Sequence, residues 1–341
     1  MPIAIDFGTR AIHLVQGQAS KTSVSIRQAW IDPLPSGLMQ DGIIREFGGV
    51  EMALKTMLAK NRINDRNCIV TINGSHIYSR ELDVPNAKGK ILDEVVAFEV
   101  QSSMSATKEI AVEYTITKQK VPDKPDLLHV RASAMQVDYI NDYAKLLRNC
   151  GLNTVAMDIH SNAICKAITN TEINDRPIRE GVSVLFLDIG AVTSTAYIIT
   201  NGEITYTRII PAGGLDIERY VVTHNSDATG ADQIDINKLD LSLQSLRSDE
   251  TLGNAVRPMV TTINDGIQRI QQFLSGRLQN GRVDMIYIYG RTSIYTNLEK
   301  TLGEAFGVPT ETIRKIGKVT MPANVPIAPY VNAIGAMIRM E

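Results

Sequence analysis

Three cysteines in 341 residues, Cys68, Cys150 and Cys165, are too few and too far apart for a disulfide framework or a Cys-x-x-Cys site. Each stands beside apolar residues, as a small core hydrophobe does, and the compartment expected from them is a reducing cytoplasm. An excess of one charge is also missing. The formal net charge is -2, with 35 Lys and Arg against 37 Asp and Glu, so no basic field draws the chain to nucleic acid. Long apolar runs are absent: Val182 to Leu187 is strand-length, far below the roughly 20 residues of a membrane helix. The opening Met1-Pro2-Ile3-Ala4-Ile5 lacks a basic start and runs straight into Asp6, so no secretory leader is expected. Any membrane role would then need a partner to supply the anchor. The five histidines show no close metal-ligand spacing, and neither a Gly-x-Ser-x-Gly elbow nor a Gly-Lys-Ser/Thr phosphate loop occurs.

What is present is an ordinary globular composition, 44% hydrophobic, in a chain longer than one core usually supports. Periodicity predicts strands at Ile3 to Ile5, Ile12 to Val15 and Val24 to Ile31, a helix over Val50 to Leu58, and a strand at Cys68 to Ile72. Residues 77 to 160 read as a self-contained β-α-β-β-α-β module, with its hairpin loop at Val121 to Asp126. A short helix over Ala163 to Thr169 and a charged linker, Asn174 to Gly181, lead to a second set of three strands: Val184 to Asp188, Ser194 to Thr200 and Glu203 to Ile210. Asn201-Gly202 between the last two is a type I′ turn signal. Polar residues from His224 to Asp235 read as a loop. Met259, Ile263, Ile267, Ile270 and Leu274 then form one helical stripe. A strand at Met285 to Tyr289, a helix over Leu298 to Phe306 and a terminal helix from Tyr330 to Met340 complete the chain.

The opening pattern of the first half returns in the second. Asp6-Phe7-Gly8-Thr9-Arg10 and Asp188-Ile189-Gly190-Ala191-Val192-Thr193 both follow an apolar strand and precede another. A turn glycine lets backbone approach a phosphate, and successive N–H groups form an anion nest. One such unit is also simply a good hairpin turn; two argue for a duplicated domain with a phosphate clasp. Gly213-Gly214, before a helix beginning near Leu215, suits backbone close to a ligand. Gly290-Arg291, at the carboxyl end of the strand ending in Tyr289, would border a nucleoside or form an ordinary strand-to-helix loop.

Two Asp-x-Gly hairpins, a Gly-Gly turn, a strand-Gly-Arg corner and the helix Pro329-Tyr330-Val331-Asn332-Ala333-Ile334-Gly335-Ala336 occur in the order found in actin-like ATPases. The small residues of that helix would permit a close helix crossing between the halves. The phrases Ile5-Asp6-Phe7-Gly8-Thr9, Asp41-Gly42-Ile43-Ile44, Phe98-Glu99-Val100-Gln101, Leu187-Asp188-Ile189-Gly190-Ala191, Ile210-Pro211-Ala212-Gly213-Gly214 and Ala328-Pro329-Tyr330-Val331 resemble the PilM family of type IV pilus assembly across essentially the whole chain. The resemblance implies an α/β chain with a duplicated actin-like (ribonuclease H-like) ATPase fold and an FtsA-type 1C subdomain insertion. It divides the chain into 1-76 (first half, 1A), 77-160 (1C), 161-181 (first half continued and linker), 182-218 (second half, 2A), 219-283 (helical 2B), 284-324 (2A continued) and 325-341 (helix returning to 1A).

It further implies ATP and Mg²⁺ between the halves. Gly8, Thr9, Arg10, Gly190, Ala191 and Thr193 would then lie on the phosphates, Gly213, Gly214, Gly290 and Arg291 on the nucleoside, and Asp6 and Asp188 would hold Mg through water. A groove within 77-160 would capture the cytoplasmic tail of the membrane protein PilN, giving indirect links to PilO and the pilus motor ATPases, with homo-oligomers also conceivable and hydrolysis slow at most. The chain departs from the resemblance at His13, where lysine is usual; at Arg291, in place of a second glycine, where its side chain would crowd an adenosine or stack on it; and at Asn162, where proline is common. Two other functions fit the same fold. An FtsA-like cell-division filament protein would end in an amphipathic membrane helix, whereas Ala333, Gly335 and Ala336 suit core packing. A small-molecule kinase would need a positioned base and a substrate pocket.

Overall fold

The computed structural model describes residues 1–104, 107–117, 121, 124–179, 181–227, 239–276 and 281–339. The first half begins with β1 (Ile3–Phe7), β2 (Ala11–Ala19) and β3 (Val24–Pro33), followed by the small hairpin β4 (Met39–Gln40) and β5 (Ile43–Ile44), helix α1 (Phe47–Lys60) and β6 (Asn67–Ile72). Next come β7 (Tyr78–Pro85), α2 (Lys90–Met104), β8 (Ile110–Ile116), β9 (Leu127–Gln136), α3 (Val137–Asn149), β10 (Asn153–Ile159) and α4 (His160–Ile168). A two-stranded ribbon, β11 (Glu172–Ile173) and β12 (Arg176–Pro177), begins before the expected linker and places its second strand within it. The second half holds β13 (Val184–Ile189), β14 (Ser194–Thr200), β15 (Glu203–Ile210), α5 (Leu215–Asp227), α6 (Leu243–Ser248), α7 (Glu250–Ser275), β16 (Met285–Tyr289), α8 (Leu298–Phe306), β17 (Thr310–Thr312), β18 (Val319–Thr320) and α9 (Val331–Met337).

The duplication is visible in the sheets. The first has the order β10-β6-β1-β2-β3-β18 and the second β17-β16-β13-β14-β15, so β1, β2, β3, β6 and β10 correspond to β13, β14, β15, β16 and β17. In both, a hairpin meander lies beside a strand parallel to its first member. Even the register agrees: Asp6 lies opposite His13 and Thr71, and Asp188 opposite Thr195 and Tyr289. The second hairpin turns at Asn201 and Gly202, both at positive φ (54° and 79°), as a type I′ turn requires.

Strand periodicity decides which face each aspartate occupies. Ile3, Ile5 and Phe7 pack outward against α1 and α3, while Ala4 joins the layer between the two sheets. Leu185, Leu187 and Ile189 pack against α7 and α8, while Val184 and Phe186 face that same middle layer. With a period of two, Asp6 follows Ala4 and Asp188 follows Phe186 onto the inward faces. The middle layer is filled by α4 and α9, through Ile164, Ala167 and Ile168 from one and Val331, Ala333, Ile334 and Met337 from the other. On the outer side of the second half, Met259, Ile263, Ile267, Ile270 and Leu274 are all buried, as their spacing predicts.

Several expectations are corrected. The three-stranded sheet β7-β9-β8, covered by α2, is a separate layer. However, α3 packs through Tyr143, Leu146 and Leu147 onto the first half, and β10 pairs in parallel with β6. The self-contained unit therefore does not extend to residue 160, because β6 has an edge that β10 satisfies. The polar run from His224 does not begin as a loop: α5 continues to Asp227, and 228–235 lie outside the described residues. Of the hairpin loop expected over Val121 to Asp126, residues 122–123 lie outside the described residues, and beside them Lys124 N donates to Val121 O at 3.3 Å. The terminal helix is shorter than expected, a 3₁₀ turn over Ala328–Tyr330 leading into α9. Helix α4 begins at His160 rather than Ala163. The three cysteines are free, Cys68 and Cys150 buried and Cys165 half-buried.

Candidate functional site

The two Asp-x-Gly turns close in the same way. Gly8 N donates to Ala11 O at 3.0 Å, and Gly190 N to Thr193 O at 3.1 Å. They border one cleft between the halves, whose walls include Asp6, Gly8, Thr9, Arg10 and His13 from the first and Asp188, Gly190, Ala191 and Thr193 from the second. Gly290 and Arg291 complete the wall at the end of β16. Most residues that sequence reasoning assigned to nucleotide or metal thus meet in one place.

Gly213 and Gly214 do not line that cleft. A Cβ on Gly213 would come within 2.5 Å of Gly190 O and of the Ala191 carbonyl carbon, and one on Gly214 would overlap Thr292 Oγ1. Gly214 N donates to Gly190 O at 3.0 Å and Leu215 N to Ala191 O at 2.7 Å. The pair lets the start of α5 brace the second turn from behind. Gly290 is required for a different reason: its φ is +89°, and a side chain there would overlap Asp188 Oδ1. Arg291 has a partner within the protein: its Nε donates to Glu218 Oε1 on α5 at 2.7 Å.

At the floor, Asp6 and Asp188 are 4% and 8% exposed. A single imidazole joins them. His160 Nε2 lies 2.8 Å from Asp6 Oδ1 and its Nδ1 lies 3.3 Å from Asp188 Oδ2. The Asn332 amide, from α9, is 2.8 Å from Asp188 Oδ2 and 3.1 Å from His160 Nδ1. Burial alone drives an imidazole toward neutrality, but the two carboxylates outweigh it and raise the His160 pKa to about 10. Burial likewise opposes ionisation of Asp6, and the His160 charge overcomes it, holding Asp6 below the usual carboxylate range. His13 goes the other way: it is buried, its Nδ1 is 3.7 Å from Asp6 Oδ2, and burial keeps it neutral.

Arg10 has the opposite situation to Arg291. Its Nε and Nη1 are buried in the cleft wall with no hydrogen-bond partner in the protein. A guanidinium with unused donors beside a turn of backbone N–H groups is chemically suited to an anionic oxygen ligand. Across the cleft, Asn73 Nδ2 donates to Thr195 Oγ1 at 2.9 Å, a side-chain tie between the halves. Arg131 of β9 makes another, donating to the Ile204 carbonyl of β15.

Asp6 and Asp188, the pair that the resemblance implies would hold Mg²⁺ through water, lie together at the cleft floor, where His160 and Asn332 are their protein partners. Among the described residues, no group of three or more His, Cys, Asp and Glu side chains is arranged to hold a metal ion.

Sequence reasoning missed His160, Asn332, Asn73 and Glu218. The one local signal was Asn332, an amide inside the otherwise apolar and small run Val331 to Ala336, where a buried polar group needs a partner.

A family model described as type IV pilus assembly protein PilM matches residues 4–327. Among solved structures, the chain is similar to a chain of the "PilM-PilN type IV pilus biogenesis complex", with a TM-score of 0.77 at 18% identity over 98% of this chain and 97% of that one. It is also similar to the ethanolamine utilization protein EutJ from Carboxydothermus hydrogenoformans, with a TM-score of 0.51 at 14% identity over 98% and 88% of the two chains. At these identities the two structures speak for the fold, which is that of the actin-like ATPases.

Proposed function

Because the chain belongs to the type IV pilus assembly protein PilM family, we propose that it is a nucleotide-binding adaptor that captures the cytoplasmic tail of a PilN-type membrane protein during pilus assembly. The observation that carries the nucleotide part is Arg10, whose buried, unpartnered donors lie in the wall of a cleft bordered by two phosphate-type turns. Gly8, Thr9, Gly190, Ala191 and Thr193 would supply backbone and hydroxyl donors to the phosphates. Gly290 and Arg291 would border the nucleoside. Asp6 and Asp188 are held as partners of His160, which supports a nucleotide that sets the relation of the two halves over one that is rapidly hydrolysed.

The partner part rests on the β7-β9-β8 layer. Its helix α2 buries Leu92, Val96 and Val100, yet leaves Ile91 and Phe98 65% and 68% exposed. Seven residues apart, these two share a helix face, and paired exposed apolar side chains of this size suit a docking segment. The layer touches the second half through Arg131 and the Ile204 carbonyl, a route by which closure of the cleft would bear on the groove. Among the described residues no helix is long and apolar enough to cross a membrane, so the partner would provide membrane attachment and the indirect links to PilO and the motor ATPases.

Fluorescence anisotropy with a labelled PilN-tail peptide tests this. Binding to the full chain is expected, with Phe98→Ala weakening it by roughly tenfold, about 1.4 kcal/mol. No binding with or without ATP would refute the adaptor.

A further inference from the structure

From the two turns the cleft wall continues in the first half to Asn73 and Gly74 and in the second to Gly290 and Arg291. The first direction is tied across, because Asn73 Nδ2 donates to Thr195 Oγ1 at 2.9 Å. The second lies at the carboxyl ends of the parallel strands β13 and β16, where open α/β sheets place their ligands. A group attached to phosphates at the turns would therefore extend past Arg291. The backbone of that corner is pinned. Gly290 N donates to Ala328 O at 3.0 Å, Thr292 Oγ1 to Gly190 O at 2.9 Å and Ser293 Oγ to Gly290 O at 2.7 Å. Gly214 also packs so closely on Thr292 that a Cβ there would overlap it. What has freedom to move is the Arg291 side chain. It lines the cleft, yet it is held from behind by Glu218 Oε1 at 2.7 Å, with 23% and 14% of the two side chains exposed. Glu218 stands on the first turn of α5, where the helix dipole favours a carboxylate and so keeps a charged acceptor in place for the guanidinium.

We propose that the Arg291–Glu218 ion pair is a gate on the nucleoside end of the cleft. It leaves the phosphate end open to any diphosphate, and it must part, with the Arg291 side chain swinging aside, before the nucleoside of a nucleotide can seat. The proposal rests on the nucleotide reading of the cleft and adds the residue that sets its selectivity. The two arginines then have opposite effects. Arg10, whose Nε and Nη1 have no partner in the protein, attracts the phosphates. Arg291, whose Nε is taken by Glu218, obstructs what is attached to them. A nucleotide loses part of its binding energy in opening the pair, whereas inorganic diphosphate carries no nucleoside and loses none. A glycine at 291 would present no such obstacle.

Calorimetry of the full chain with ADP and with inorganic diphosphate, in one buffer, tests the gate. Arg291→Ala is expected to tighten ADP binding by roughly threefold to fivefold, the scale of a part-exposed ion pair. The same variant should bind inorganic diphosphate within about twofold of wild type. Unchanged or weaker ADP binding would overturn the proposal, the weaker case by showing that Arg291 supports the nucleoside instead of obstructing it. Equal tightening of both ligands would overturn it as well, since Arg291 would then act on the phosphates. Glu218→Gln leaves Arg291 intact and removes the charge that holds it, and it provides the same test should Arg291→Ala fold poorly. ADP should again bind roughly threefold tighter or more, and unchanged affinity would count against the pair as the latch. If diphosphate bound and ADP bound neither wild type nor variant, the gate would fall while the phosphate site stood. If neither ligand bound any of the three chains, the nucleotide reading would fall, and the gate with it.

Discussion

Gly335 of α9 and Ala163 of α4 meet backbone to backbone: an added Cβ at 335 would overlap the Ala163 carbonyl oxygen and lie 2.5 Å from its carbon. These two helices fill the layer between the sheets, so their separation sets how closely Asp6 and Asp188 approach His160. Gly335→Ala is expected to destabilise the chain by about 1–3 kcal/mol, the usual cost of overpacking. A denaturant midpoint unchanged from wild type would show that the crossing has room to spare.

Arg10 presents a case in which stability and binding should part. Removing a half-buried guanidinium whose Nε and Nη1 are buried without a protein partner relieves a desolvation cost, so Arg10→Gln should leave thermal stability equal or slightly higher. ADP affinity should fall by roughly tenfold or more, as expected for losing a charge-assisted phosphate contact. Thermal melts and calorimetry on the same preparation check both halves of the expectation, and an affinity within about twofold of wild type would remove Arg10 from the phosphate site.

Gly290 combines a positive φ with contact to Asp188. Gly290→Ala would impose about 1–3 kcal/mol of backbone strain and push Asp188 from His160 and Asn332. The variant should unfold at lower denaturant and lose ADP binding together. A crystal structure showing Asp188 unmoved would contradict the link.

Asp240 ties the helical region of the second half to the loop before α8. Its carboxylate accepts from Asn297 Nδ2 at 2.8 Å, Ser245 Oγ at 2.7 Å, and Ser242 N and Oγ at 3.0 and 2.9 Å. These bonds, Asn297 first, lower its pKa from 3.8 to about 2. A depressed folded-state pKa means that the unfolded chain takes up the proton first. The stabilisation is therefore complete above the unfolded value of 3.8 and is lost as pH falls through about 2. The stability gap between wild type and Asp240→Ala, measured by urea unfolding, should shrink across that window. A gap independent of pH would mean that the carboxylate charge contributes nothing.

Local patterns in the chain determined a good deal. Alternation and turn chemistry marked both meanders, and the repeated Asp-x-Gly units announced the duplication, because a strand followed by a tight turn is specified by neighbours in sequence. The small residues of the last helix announced the close crossing for a similar reason: Gly335 has little use in a helix unless another backbone must come near. Period two even carried, unread, the inward orientation of Asp6 and Asp188.

Only the tertiary structure decided what those aspartates meet. His160, Asp188 and Asn332 come from α4, β13 and α9, elements separated by long stretches of chain, and no local spacing relates them. For the same reason β10 could be counted with residues 77 to 160 although it completes the sheet beside β6: an unpaired edge is a property of the assembled sheet. The Asp-x-Gly turns are a sequence signature for a phosphate clasp. What those turns' aspartates touch depends on which residue the folding of α4 places between them.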